Sequence, residues 1–408
     1  MNRPASFFQA RELILAAVSP LELETLGLLE AAGRAVAEDI VASQPLPAFD
    51  NSAMDGFAVR ARDCHPSAVL PVKGYLPAGG ASDGCQVEPG SAVKIMTGAP
   101  IPPGADAVVP YEEVEENKEQ IRIVGKVRQG DHIRWQGEDI RPGDRVITAG
   151  SLLRPAEVCL LASLGIPEVR VHRRPRVAIL ANGDELQELG EPRVEGRIIN
   201  SNSWALAAAI RELGGEPLML GIARDNRESL RRRMEAGLQA DVLITSAGVS
   251  AGDRDFVREV LAELGVEQKF WKINIKPGRP TAFGLKGETL VFSLPGNPVS
   301  TLITFEEFVR PALLKMMGHR TVVKPTFKAR LQQSVTNKAG RMQLMRVAVA
   351  LNEEGEMVVV SSGDQNTGIL STLVGAQGIA FLSAERDCYA AGEKLDVHLL
   401  GAATALGG

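Results

Sequence analysis

Cysteine is scarce in this chain and scattered: Cys64, Cys85, Cys159 and Cys388 form no C-x-x-C pair. That argues against a disulfide frame or a cysteine zinc site and predicts reduced core thiols. The five histidines (His65, His132, His172, His319, His398) are not spaced as metal ligands. No serine–histidine or cysteine–histidine pairing suggests a nucleophilic triad either. An excess of positive charge is also missing. The net charge of −5 argues against a general nucleic-acid binder, although local positive sites for a small anion remain open. No apolar run reaches membrane-spanning length, and no basic-then-apolar leader opens the chain. Cytoplasm, with neither membrane nor nucleic acid as partner, is the expectation. Tandem repeats and low-complexity segments are absent.

What is present is an ordinary globular composition, 45% hydrophobic and 23% charged, over 408 residues. That length exceeds one core and suggests about two to four domains. Ser6 is a cap for a helix through Val18, and the spacing of Leu28, Leu29, Ala32, Val36 and Ile40 predicts a second helix over Leu26–Ala42. From about residue 45 the chain turns rich in glycine and proline. Short β-type runs appear at 57–59, 92–96, 107–110, 121–124 and 145–147, which predicts a compact, mostly antiparallel domain. Residues 151–165 return to helix, so the helical segments flanking the insert are expected to pack as one unit. Strand and helix then alternate from residue 176, predicting a mostly parallel sheet with helices on both faces. From about 322 alternating apolar residues predict a small barrel or sandwich. The expected fold class is multidomain α/β and β. A linker domain spans 1–44 plus 146–175, a β-rich insert 45–145, an α/β domain 176–321 and a β-barrel 322–408.

The most informative stretch is 270–300, FWKINIKPGRPTAFGLKGETLVFSLPGNPVS. Two glycine turns, at Lys276–Pro280 and Leu294–Pro298, flank the apolar run Thr289–Phe292. Pro298 is suited to open a helix, expected through Met317. Open backbone N–H groups at these turns, beside Lys272 and Lys276, make a cradle for a phosphate or oxyanion. Turns that merely punctuate strands are the commoner explanation of such patterns, but two around one strand with lysines beside them favour the cradle. Ligands of such sheets sit at the carboxyl ends of the strands. The loops there carry Glu185, Asp225, then Ser246, Gly248 and Ser250, then Asp253 and Asp255. Several carboxylates near a phosphate cradle suggest a divalent metal such as magnesium, although Asp253 alone reads equally well as a helix cap. Trp271 suits stacking on a flat ring and core packing about equally.

Taken in order, FDNSAMDGFAVR, KIMTGAPIPPGAD, GEDI, NGDEL, SAGVSAGD, KPGRP and LPGNPVS closely resemble the MoeA family of molybdopterin molybdenumtransferases, which includes a domain of gephyrin. The resemblance covers essentially the whole chain. It implies a helical linker domain split around the β-rich domain, a doubly wound molybdopterin-binding α/β domain and a C-terminal β-barrel, arranged as a homodimer. The implied activity inserts molybdate into adenylylated molybdopterin and releases AMP, with magnesium required. Other proteins of molybdenum cofactor biosynthesis are further expected partners. Carried over by motif, the resemblance points to Asp55, Glu185, Asp225, Asp255, Lys272 and Lys276 as catalytic, with Glu185 and Asp225 also holding metal. It assigns substrate binding to Thr97, Arg134, Asp139, Pro298, Arg341 and Thr367, and the cradle and loop pattern adds Ser246, Gly248, Ser250, Asp253, Pro277, Gly278, Arg279, Gly296 and Asn297. In family dimers the insert of one subunit faces the pterin domain of the other, so Asp55 and Glu185 are expected to share a two-chain cleft. Asn182, Ala247, Arg279 and Thr367 depart from the family's usual residues. Ala247 would tighten its loop if a positive φ is needed there. The alternatives are an adenylyltransferase-like paralogue, which needs neither insert nor barrel, and a molybdopterin-binding scaffold.

Overall fold

The computed structural model describes residues 4–80, 84–117, 119–248 and 256–401. The first helix is Phe7–Ala16, closed by a reciprocal cap. Gln9 N–H donates to Ser6 Oγ at 3.2 Å and Ser6 N–H donates to Gln9 Oε1 at 3.0 Å. Its buried face is Phe7, Ala10 and Ile14, which pack on the α/β core.

The second predicted helix does not form over Leu26–Ala42. Leu23–Gly27 is a strand paired antiparallel with Glu168–His172, and one turn of helix follows at Leu28–Ala31. Gly33 then takes φ +80° and leads the chain out of the helix. Ile40–Val41 pairs with Arg145–Ile147. The 3.6-residue spacing was real but misleading: Leu29, one of its members, is 82% exposed, while Val36 is buried through a bridge to Val171. Pairing with strands more than a hundred residues away outweighed a weak local preference. The linker is therefore stitched from both sides of the insert, with Pro155–Ser163 as its longer helix. The cysteines are free as expected, but Cys159 and Cys388 are exposed and none is a fully buried core thiol.

The insert is a sheet running, in spatial order, Ala107–Pro110, Gly56–Val59, Ala92–Ile95, Val69–Leu76, Gln120–Ile123 and Val114–Glu116. The long strand Val69–Leu76 lay outside the runs legible in the sequence. Its pairing with Ala92–Ile95 is parallel, while the other pairings are antiparallel.

The α/β sheet runs Glu216–Ala223, Arg176–Asn182, Val242–Ser246, Thr289–Leu294, Ala282–Lys286, Glu267–Phe270. The first four strands are mutually parallel, and Ala282–Lys286 runs antiparallel to both of its neighbours. Alternate residues of the central strand serve opposite faces. Val177 and Ile179 pack with Leu206 and Ile210, whereas Ala178 and Leu180 pack with Leu230, Met234 and Val260. Both faces are covered, which is why the strand reads as a continuous apolar run. The helix opened by Pro298 runs to Met316 with a π-turn at Phe305–Val309 in its middle.

The C-terminal strands Phe327–Leu331, Met342–Leu351, Met357–Ser361, Gly378–Leu382 and Lys394–Leu399 close into a barrel. Met342–Leu351 pairs with both Met357–Ser361 and Gly378–Leu382. Ile275–Lys276, from the glycine-turn segment, adds to this barrel in parallel with Met342–Gln343. The element that joins the two domains is thus the one carrying Lys276.

Candidate functional site

Neighbouring parallel strands end together at Asn182 and Ala223, so the loops that follow them touch. Asp184 N–H donates to Asp225 Oδ2 at 3.2 Å, and Asp225 N–H returns a bond to Asp184 Oδ1 at 3.3 Å. The Glu185 carboxylate folds back over Gly183, whose φ of +146° is a backbone conformation that glycine adopts freely and side-chain-bearing residues rarely do. Glu185 and Asp225 are therefore brought onto adjacent loops. Among the described residues no three His, Cys, Asp or Glu side chains converge as a metal cage. Two carboxylates still suit magnesium, which usually keeps waters and takes its other ligands from phosphate.

The next strand ends at Ser246, whose side chain is buried. Ala247 follows at φ +74° and donates its N–H to Leu294 O at 3.1 Å. The condition attached to this departure from the family pattern, a positive φ at residue 247, is met. Gly248 shares φ +74°, and a Cβ there would meet Val257 Cγ2 at 2.4 Å and Asn182 Nδ2 at 2.8 Å. Ser250, Asp253 and Asp255 lie outside the described residues. Asn297 caps the helix Pro298–Thr304, its Oδ1 accepting from Val299 N–H at 3.2 Å. Gly296 packs against Ala247, with 3.0 Å between a Cβ built at Gly296 and the Ala247 Cβ.

Between these loops and the barrel lies the Lys272–Arg279 segment. Lys272 is half-buried, and its carbonyl accepts from Ala5 N–H at 3.1 Å. Arg279 O accepts from Ile273 N–H at 3.0 Å, closing the loop on itself. Pro277 and Gly278 are buried, and Gly278 takes φ +98° against Thr304. Lys276 is exposed and lines a cleft of about 430 Å³ with Asn337, Gln343, Ser361 and Gln365. Arg341 is exposed beside it, at the start of the paired strand: Met342 N–H donates to Asn274 O at 3.2 Å, and Asn274 Nδ2 donates to Gly340 O at 2.7 Å.

The loop carrying Thr367 borders the same cleft through Gln365, and a residue not singled out from the sequence holds it. Arg346 is fully buried and donates from Nη2 to Asp364 O at 2.9 Å and Asn366 O at 3.3 Å. Its Nε donates to Thr372 Oγ1 at 2.9 Å. Gln365 locks onto the Arg346 backbone in both directions, at 2.9 and 3.1 Å. Burial pulls the guanidinium below its ordinary pKa, with Asp364 opposing. The signal was available: a lone arginine in the middle of the apolar run Met342–Leu351.

In the insert the DNSAMDG and MTGAP turns fold together. Thr97 donates from its N–H at 2.7 Å and from Oγ1 at 2.8 Å, both to Asp55 Oδ1. The backbone bond, then the hydroxyl, holds Asp55 below the usual carboxylate range. Ile133–Arg134 pairs with Asn51–Ser52, which brings Arg134 to the same surface. Asp139 sits further along, its N–H donating to Leu46 O at 3.1 Å. No hydrogen bond or ion pair among the described residues of one chain joins this cluster to the Glu185–Asp225 rim. Trp271 stacks with the Arg258 guanidinium at 5.2 Å, beside a small cavity that Leu261 and Phe283 also line.

Three family descriptions cover the chain in succession: MoeA N-terminal region (domain I and II) over 5–165, "Probable molybdopterin binding domain" over 178–315, and MoeA C-terminal region (domain IV) over 328–400. A molybdopterin molybdenumtransferase of Haemophilus influenzae is 40% identical over 401 residues, covering 96% of this chain and 99% of its own length. Molybdopterin molybdenumtransferase 2 of Mycobacterium tuberculosis is 37% identical over 386 residues, covering 91% and 94%. The crystal structure of the molybdopterin biosynthesis MoeA protein from Pyrococcus horikoshii OT3 superposes with a TM-score of 0.83 at 32% identity, over 98% of this chain and 100% of that one. Relatives of that identity matching end to end, with the same domains in the same order, establish that the chain belongs to the MoeA family.

Proposed function

We propose that this protein is a molybdopterin molybdenumtransferase, inserting molybdate into adenylylated molybdopterin with release of AMP. The observation that carries the reading is the placement of Lys276. It lies on the segment that adds a strand to the barrel, in a cleft bordered by the Thr367 loop, while the same segment packs on the helix that begins at Pro298. Two anions must meet in the reaction, a molybdate dianion and a pyrophosphate. At about 4 Å each pair of unit charges repels by roughly 1 kcal/mol in bulk water and several times more in a drier cleft. Lys276 in the cleft, with Arg341 at the start of the paired strand and Lys272 earlier on the same segment, would supply fixed positive charge against that repulsion. Thr367 supplies a hydroxyl donor.

The pyrophosphate is assigned to the loops at Ser246–Gly248 and Gly296–Pro298, where backbone N–H groups and a helix start favour negative charge. Glu185 and Asp225 would hold magnesium, which when bound polarises the phosphoanhydride. Asp55, kept ionised by Thr97, is assigned to the opposite wall of the cleft, contributed by a second subunit of a homodimer. This division of labour uses the four domains as bounded above: linker 1–44 plus 146–175, insert 45–145, α/β 176–321, barrel 322–408. A cytoplasmic enzyme handing an unstable cofactor onward would also meet other proteins of that biosynthesis.

The test is to incubate pure protein with adenylylated molybdopterin, molybdate and magnesium and to follow AMP. Lys276→Ala and Asp225→Ala are expected to lower AMP release by roughly 10²-fold, the usual effect of losing one oriented charged group, with little change in melting temperature. Turnover equal to wild type in those variants removes the residues from the mechanism. Wild-type protein that binds substrate without turnover would be a scaffold. Protein that adenylylates free molybdopterin from ATP would be the paralogue.

A further inference from the structure

Asn202 was not among the residues singled out from the sequence, yet it ties together the two loops assigned to the pyrophosphate. It occupies the first turn of the helix Ser201–Glu212, whose cap is Asn200. Its Nδ2 donates to Ser246 Oγ at 2.8 Å and to Gly296 O at 2.8 Å, one bond to the end of each neighbouring strand. A carbonyl oxygen only accepts, so Gly296 O fixes which end of the carboxamide faces the loops. The Asn202 Oδ1 is buried without a partner among the described residues, and the side chain's recorded hydrogen bonds are its two donor bonds.

Each bond has a consequence on the far side of the acceptor. Ser246 Oγ accepts from Asn202, so its own proton is turned elsewhere and the hydroxyl is set as a donor. Gly296 O is committed to Asn202, and in a planar trans peptide the Asn297 N–H must then point to the opposite side. One planar amide thus leaves two donors, the Ser246 hydroxyl proton and the Asn297 N–H, free of itself on the loops that follow two adjacent strands. The Ala247 N–H bond to Leu294 O and the packing of Ala247 on Gly296 hold the gap between those loops at a set width.

We propose that Asn202 is a positioning residue for substrate binding, orienting Ser246 Oγ–H and Asn297 N–H toward the anionic pyrophosphate of adenylylated molybdopterin. This rests on the transferase reading and deepens it. Asn202→Asp is the sharp test, since it keeps the shape and replaces the two-donor amide with an acceptor-only group. Ser246 would then turn its proton inward, and a carboxylate would face Gly296 O. Direct binding of adenylylated molybdopterin, in the absence of molybdate, is expected to weaken roughly 10- to 100-fold, as for a lost buried hydrogen-bond partner. The KM for molybdate should stay within about twofold, because that anion is assigned to the Lys276 cleft. Asn202→Ala and Ser246→Ala should each weaken binding, with the double variant losing clearly less than the product of the two. The Ala variant also keeps the test alive should Asn202→Asp fail to fold.

Binding of the pterin nucleotide unchanged in Asn202→Asp, equal losses for both substrates, or fully multiplicative effects in the double variant would overturn the assignment. Wild-type protein that binds no adenylylated molybdopterin would instead overturn the transferase reading itself, and the two failures are told apart by the wild-type measurement.

Discussion

Replacing Gly278 by alanine tests the idea that the lysine loop is seated by close packing on the helix below it. Gly278 takes φ +98°, a region that costs a residue bearing a Cβ about 1–2 kcal/mol. The added methyl would also lie 2.4 Å from Thr304 Cγ2 and 3.2 Å from Ile275 Cδ1. Thr304 cannot give way cheaply. It is fully buried, and its Oγ1 donates to Ser300 O at 2.8 Å and to Thr301 O at 3.1 Å, so rotating the methyl aside breaks those bonds. Overpacking of this kind costs a further 1–3 kcal/mol or so, giving about 2–5 kcal/mol in total. Thr304→Ser deletes the opposing methyl and keeps the hydroxyl. The double variant should therefore recover the overpacking part, leaving the backbone strain plus roughly 1 kcal/mol for the lost methyl. Global melting of a multidomain chain is not two-state, so the quantity to measure is the local opening free energy, from native-state hydrogen exchange of amides in Ile275–Lys276 and Pro298–Thr304. A Gly278→Ala variant within about 0.5 kcal/mol of wild type, or strict additivity with Thr304→Ser, would refute the reasoning.

Two further outcomes are expected. Thr97→Val removes the hydroxyl but not the backbone N–H, the larger of the two bonds on Asp55, so the Asp55 pKa should rise part of the way to its ordinary value. Because the folded carboxyl is depressed, its stabilising contribution is present above the ordinary carboxylate pKa and fades as pH falls through the folded value. The variant should lose it at a higher pH than wild type, and carboxyl carbon NMR titration reads the shift. Ala247→Gly relieves about 1–2 kcal/mol of left-handed strain and adds about 0.4–1 kcal/mol of unfolded-state entropy. Local stability by hydrogen exchange should thus be unchanged or slightly higher, whereas Ala247→Val should be clearly destabilised; a large loss in the glycine variant would count against the strain at φ +74°.

Where the sequence spoke clearly, it did so through local physics. Apolar runs such as Val177–Leu180 and Thr289–Phe292 became buried parallel strands because a sheet covered on both faces needs nothing else of its residues. Ser6 and Pro298 marked helix starts because a cap and a fixed φ act within the first turn. Glycines such as Gly183 and Gly248 marked turns that need a positive φ, and at Gly248 a Cβ would also meet Val257. Motif order was enough to point to the family. The exceptions were long-range. Leu26–Ala42 became a strand, one helical turn and loop because Glu168–His172 and Arg145–Ile147 lay alongside. Nothing local to residue 202 said that an amide would bridge two loops, and the lone arginine at 346, though legible as an oddity, did not say which segment its guanidinium would hold. The sequence by itself determined the buried strands of the α/β sheet, its turns and the helix starts at Ser6 and Pro298, since those depend on neighbours a few residues away. Only the tertiary structure decided that Lys276 belongs to the barrel as much as to the α/β domain, because strand pairing across 67 residues is set by what the whole chain can bury.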